Sequence, residues 1–386
     1  MGFYVNEFTY ELKQHLNLSE RAWDVIYGDM RDFGGEENKQ SFSGFLNRIF
    51  TCFYQEACGS IGIRVKELRE RLTSLSTAFA DAVQTEQMIT LLVNEHQKVL
   101  LQKALSYPKG IGKKFRVNRR NIEILTDSDA ADFYNDSIGT YMKAVFEEYA
   151  TLPPAKRESI FFKDTIDACD RAISRRNKLK ISLQQRVSAK TETTYTRRFY
   201  VTPYAVMTDK NGMFNYLVGL CEEIREDGTI DEKRISSFRI SRIDKFAVMS
   251  SMSVFLSQQK IEEIRAELQK KPPQYMAGDV IDIEVRFTHK GLEQLERQLY
   301  LRPSSYQKID EYSYVFHCTE LQAIHYFFKF GRDAVIVSPQ KLHDKLKYYY
   351  AEAWNAYRND DAPAVPEEEK NPNQCKISDQ YRGGIS

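Results

Sequence analysis

The sequence predicts an α+β protein with a helix-rich N-terminal region, a central antiparallel β unit and a C-terminal region in which strands and helices alternate. Three observations carry this expectation. Runs of β-forming residues at 199–207 and 213–221 flank Asp209-Lys-Asn-Gly212, whose glycine supplies the positive φ of a tight hairpin. A short alternating segment followed by two amphipathic helical segments opens the chain, and the same order returns from residue 114. Finally, 280–357 reads as a βαβαβα succession.

At 10–18, Leu12, Leu16 and Leu18 alternate with Lys13, His15 and Asn17, which predicts a strand. Ser19 then caps a helix bearing Trp23, Ile26 and Tyr27, and Gly34-Gly35 ends it. Ser41 or Ser43 caps a second helix with the stripe Phe42, Phe45, Leu46, Ile49, Phe50, Phe53. Further on, Phe115 and Val117 alternate with Lys114, Arg116 and Asn118. A helix with Ile122, Ile124 and Leu125 follows, and Ser137 precedes the stripe Ile138, Tyr141, Met142, Val145, Phe146, Tyr149. Aligning 41–53 with 137–149 matches Ser41 to Ser137 and Phe50 to Phe146, which points to an internal repeat.

This order of strand, helix and capped helix resembles the ribbon-helix-helix family. One such unit cannot close its core, because its strand must pair with a second copy. Two units in tandem therefore imply an intrachain pseudo-dimer, joined by a helical connector at 63–107. The resemblance implies that Lys13, His15, Asn17, Lys114, Arg116 and Asn118 form an outward ribbon that contacts nucleic acid.

Pro153-Pro154 marks a boundary, and a helix at 155–176 leads into the central hairpin. A third strand is expected at 235–240, closed by Ser241-Arg-Ile243. The succession Pro203-Tyr204, Asn215-Tyr216-Leu217 and Phe238-Arg-Ile-Ser-Arg-Ile243 resembles the WYL domain, a small Sm/SH3-like β-barrel of bacterial regulators. Asn215 stands where that family has Trp, and Ser241 where it has an acid. The resemblance implies that Tyr216, Arg239 and Arg242 face a ligand or nucleic acid. Tyr200 and Tyr204 add aromatic faces for unpaired bases, while Lys178, Lys180, Arg197 and Arg198 extend a basic track.

Beyond a polar helix at 262–271 and Pro272-Pro273, strands are expected at 280–287, 312–319 and 334–337, and helices at 291–300, 321–330 and 340–357. This region resembles the C-terminal extension of WYL proteins, with a ferredoxin-like sheet. Tyr326, Phe327, Phe328 and Phe330, with Tyr348-Tyr349-Tyr350 and Trp354, exceed what one local core needs and predict a homodimer interface. The expected regions are 1–152, 153–271 and 272–358, with a disordered tail at 359–386.

The net charge of +1 hides segregation: 98–120 holds eight Lys/Arg and no acid, and 171–210 holds ten against two acids. Such clusters suit a polyanion, or equally a solvated basic face. The six cysteines contain no Cys-x-x-Cys pair, so they are expected reduced, with no metal and no cofactor. No stretch approaches the roughly 18 apolar residues of a membrane span, so no membrane contact is expected and the cytoplasm is the expected location. No nucleophile elbow, His-Glu-x-x-His or dinucleotide fingerprint is present, and an enzyme is not expected.

Two functional readings follow. The architecture over 10–358 resembles the WYL accessory proteins encoded beside type VI-D CRISPR RNA-targeting nucleases. That resemblance implies binding of single-stranded RNA and stimulation of the nuclease. The alternative is a ligand-responsive transcriptional regulator whose ribbon reads DNA.

Overall fold

Alternation at the N-terminus produces strand β1 (Leu12–Leu18), with Leu16 and Leu18 buried and Lys13 and His15 exposed. The computed structural model describes residues 12–33, 41–76, 82–127, 132–134, 137–188, 191–276 and 279–358. The Gly34-Gly35 break and the expected tail lie outside them. Two units are formed, one of 1–268 with 272–277 and one of 269–271 with 278–386.

The first unit continues with α1 (Glu20–Phe33), α2 (Phe42–Phe53), α3 (Ile61–Ser76), α4 (Ala82–Leu105), β2 (Ile111–Val117), α5 (Arg119–Asp127) and α6 (Ile138–Thr151). β1 and β2 pair antiparallel within the chain, Leu12 opposite Val117 and Leu18 opposite Ile111. The two strand-helix-helix sets interlock: β1 lies against α6, and β2 against α2. Ser41 and Ser137 cap α2 and α6 by accepting from Gly44 N at 3.1 Å and Thr140 N at 3.3 Å. Their stripes meet in one core around Phe45, Phe50, Tyr141, Phe146 and Tyr149. The helical connector consists of two helices, α3 and α4, which pack on each other. Ile89 and Val93 of α4 are buried.

Next come α7 (Pro154–Phe161) and α8 (Lys163–Ser174), where one helix was expected. The break falls at Phe162, whose ring packs against both the N-terminal core and the sheet core. Strands β3 (Asn177–Ser188), β4 (Thr191–Thr208), β5 (Asn215–Ile224), β6 (Arg234–Arg239) and β7 (Ile243–Ser253) form one antiparallel sheet in the order β6-β5-β4-β3-β7. The β4–β5 turn is the expected one, with Gly212 at φ 66. A single 3₁₀ turn at Ile240–Arg242 carries the chain from β6 to β7, which lie at opposite edges of the sheet order. One face packs on α8 through Leu179, Ile181, Phe199 and Leu217. On the other, Val218 and Leu220 meet Ile264 of α9 (Gln258–Lys270).

The second unit holds β8 (Val280–Phe287), α10 (His289–Arg297), β9 (Tyr306–Lys308), β10 (Ser313–Thr319), α11 (Glu320–Phe327), β11 (Ala334–Ser338) and α12 (Gln340–Arg358). Its antiparallel sheet has the order β11-β8-β10-β9. Ile283, Val285 and Phe316 bury against Tyr326, Phe327 and Leu346. Of the aromatic surplus, Tyr326, Phe327 and Phe330 are buried, whereas Tyr348 and Trp354 are 60% and 65% exposed.

Candidate nucleic-acid interface

The ribbon presents one exposed basic face. Register sets Lys13 beside Arg116 and His15 beside Lys114, with all four side chains exposed. The two asparagines expected to join them have structural duties instead. Asn17 Oδ1 accepts from Gly110 N at 2.7 Å, where the backbone passes so close to Leu18 that a Cβ on residue 110 would lie 1.8 Å from its carbonyl oxygen. Asn118 Oδ1 caps α5 by accepting from Asn121 N at 2.9 Å. Beneath the ribbon, Asn47 Nδ2 donates to Ser43 O and Arg116 O at 2.7 and 2.8 Å, and its Oδ1 accepts from Asn118 N and Asn121 Nδ2 at 2.9 Å.

On the sheet, the pairings build two rows on the face opposite α8. Lys245, Ser182 and Arg198 stand abreast in one row, and Ala247, Lys180, Tyr200 and Glu222 in the next. Lys180, Arg198 and Lys245 are exposed. Tyr200 is half-buried, with Lys178 Nζ and Lys180 Nζ at 5.2 and 5.8 Å from its ring centre. Two members of the expected track are engaged within the fold. Lys178 pairs with Glu222, and Arg197 forms a two-point pair with Glu223 that holds the Glu223 carboxyl below its usual range. Tyr204 is separated from this patch as well. A register shift between Pro203 and Ala205 accompanies its packing into the α9-side apolar cluster, where its hydroxyl accepts from Arg265 Nε at 3.2 Å.

Tyr216 and Arg239 sit opposite each other on β5 and β6, beyond the part of the sheet that α9 covers, and Arg242 is exposed on the turn that follows. The predicted residues therefore form two clusters rather than one track. The Arg239 guanidinium lies 3.1 Å from the Phe214 ring centre, and its Nε donates to Ser241 Oγ at 2.7 Å. Burial raises the Tyr216 hydroxyl to about 12, with Asp209 adding to the shift, and lowers Arg239. Beneath them Glu158 of α7 is fully buried. It accepts from Asn215 N, from Asn215 Nδ2 at 3.1 Å and from Ser241 N at 3.3 Å. The two positions that depart from the WYL pattern, Asn215 and Ser241, are thus the two that bind Glu158.

Lys245, Phe214 and Glu158 were not singled out from sequence. Lys245 follows the alternation of β7, a legible signal, whereas nothing local marks Glu158 among the other helix acids. Among the described residues no cluster of His, Cys, Asp and Glu could hold a metal ion, and no helix is long and apolar enough to cross a membrane.

The fold has a counterpart. Over 92% of this chain and 96% of the other, it matches a crystal structure of a CRISPR Cas-related protein with a TM-score of 0.72 at 22% identity. The similarity shows a shared fold. A second match, to proteasome accessory factor B/C of Arthrobacter aurescens, covers 60% of this chain and 30% of that one at 18% identity; its TM-score of 0.20 carries no argument. No family model and no curated protein matches.

Proposed function

We propose that this protein is a nucleic-acid-binding accessory protein that holds unpaired RNA on its five-stranded sheet and performs no catalysis of its own. One observation carries the reading: exposed Lys180, Arg198 and Lys245 share a single sheet face with Tyr200. An aromatic ring stacks a base of any identity for about 1–3 kcal/mol, and neighbouring cations meet its phosphates. Tyr216, Arg239 and Arg242 form the second binding cluster. The fold shared with a CRISPR Cas-related protein supports the finer reading, in which the RNA-bound protein stimulates a type VI-D CRISPR RNA-targeting nuclease.

In this reading the interlocked N-terminal helices are a ribbon-helix-helix pseudo-dimer and the five-stranded sheet is the Sm-like barrel of a WYL domain. The second unit is ferredoxin-like. Exposed Tyr348 and Trp354 join two copies as a homodimer in the cytoplasm. Light scattering checks this last point: a chain ending at residue 271 becomes monomeric, and an unchanged dimer refutes the assignment.

Fluorescence anisotropy with single-stranded RNA tests the central claim. Lys180→Glu with Arg198→Glu lowers affinity and flattens the salt dependence by about 0.7 in log–log slope for each phosphate that is no longer neutralised. Parental affinity and slope in the folded variant mean that RNA binds elsewhere. The exposed face with Lys13, His15, Lys114 and Arg116 favours a second reading, a DNA-binding regulator, because a two-stranded ribbon fits the major groove. Tighter binding of duplex DNA than of unpaired RNA, abolished by Lys114→Glu, selects it.

A further inference from the structure

Arg157 and Glu158 are neighbours on α7 that serve different parts of the first unit. Arg157 grips buried Asp29 of α1 at 2.7 and 3.0 Å, and Asp29 also accepts from Tyr149 of α6 at 2.9 Å. Glu158 enters the sheet. Besides Asn215 and the Ser241 amide, its Oε1 stands 3.8 Å from Arg239 Nε. Arg239 is therefore anchored along one edge by Ser241 and Glu158 and across its face by Phe214. Beside Nε on that same edge, its Nη2 is buried with no hydrogen-bond partner. A buried donor without an acceptor is costly, and most such groups in native proteins have a partner.

We propose that Glu158 is a positioning residue for the Arg239 cluster: it fixes the Ser241 turn and the Nε edge of the guanidinium, so that the part of the side chain left exposed is held for a phosphate oxygen. The proposal rests on the RNA-binding reading above. It adds that the site is set from outside the sheet, by a helix whose preceding residue is locked to the N-terminal core. Burial raises the Glu158 carboxyl and lowers Arg239, so each charge leans on the other.

The test uses the full chain and a short fluorescent oligouridylate. Glu158→Gln preserves shape but removes the charge facing Arg239 and replaces one acceptor oxygen with a donor, which leaves the Ser241 amide or the Asn215 groups without an acceptor. Affinity is expected to fall about tenfold. Adding Ser241→Asp returns a carboxylate to a position whose present Oγ is already 2.7 Å from Arg239 Nε, and is expected to restore most of that affinity. A purely space-filling role for Glu158 predicts no loss in Glu158→Gln, which keeps the volume, and so nothing for Ser241→Asp to rescue. Parental affinity in folded Glu158→Gln, or a loss that Ser241→Asp does not recover, overturns the proposal.

If Glu158→Gln does not fold, Ser241→Ala serves in its place. It removes only the Oγ acceptor and is expected to cost about threefold, the weight of a modest hydrogen bond; parental affinity there also overturns the proposal. Arg239→Gln separates this idea from its foundation. Unchanged binding in that variant removes RNA from the cluster altogether, whereas weakened binding there, beside parental binding by Glu158→Gln, sinks only the positioning role. Uridine monophosphate distinguishes the sources of the phosphate. Loss with Glu158→Gln for the nucleotide supports a free-nucleotide site, loss for the strand alone supports a strand site, and loss for neither overturns the proposal.

Discussion

Asn47 of α2 makes four hydrogen bonds from one buried side chain, two donated to Ser43 of its own helix and Arg116 of β2 and two accepted from Asn118 and from Asn121 of α5. Asn47→Ala strands several of these partners away from water, and a loss of about 3 kcal/mol in urea denaturation is expected. Glu223 behaves differently because its partner holds its pKa down. Below the unfolded value of 4.5 the unfolded chain takes up the proton first, so the stability that the Arg197 pair contributes is present above that pH and fades as pH falls through the lower folded value. Arg197→Gln is expected to shallow this acid limb in thermal melts at stepped pH, and an unchanged limb assigns the pair no role. That Tyr216 and Arg239 lie on adjoining strands was legible from the order of the runs that carry them. The engagement of Tyr204 by Arg265, and of Lys178 by Glu222, was not, because each partner lies on a strand or helix well along the chain and only the fold brings it near.

Helix caps test the repeat as an element-level idea. Ser41 and Ser137 occupy equivalent places in the two interlocked sets, so Ser41→Ala and Ser137→Ala are each expected to cost about 1 kcal/mol. Chemical denaturation of both variants checks this, and a markedly unequal pair marks the two helices as unrelated in their energetics. Elements whose pattern is locally complete were legible: β1, α2, α6, the β4–β5 hairpin and α12 lie where alternation, caps and turn residues put them. β3 was not foreseen although Leu179 and Ile181 alternate with Lys178 and Lys180, because the lysines read as a basic track. β9 spans only three residues and carries no period at all. The break between α7 and α8 is also invisible locally, since it exists to let Phe162 serve two cores.

At the scale of the molecule, the first unit joins the helical N-terminal region to the sheet through α7, while 278–358 has a core of its own. A fragment of 278–358 is expected to melt cooperatively by itself, and calorimetry of the full chain to show more than one transition. A non-cooperative fragment refutes that independence. The pairing of β1 with β2 has a consequence for biosynthesis. β1 leaves the ribosome before the strand it pairs with, and Val117 follows only after α1 to α4 have been made. Until then the nascent chain displays an unpaired strand edge and the apolar flanks of Leu16 and Leu18, the features that invite pairing with the wrong neighbour. Translation speed across α3 and α4 thus sets how long each new molecule is exposed to misassociation, and slowing codons placed there should lower the yield of folded protein without altering a single residue.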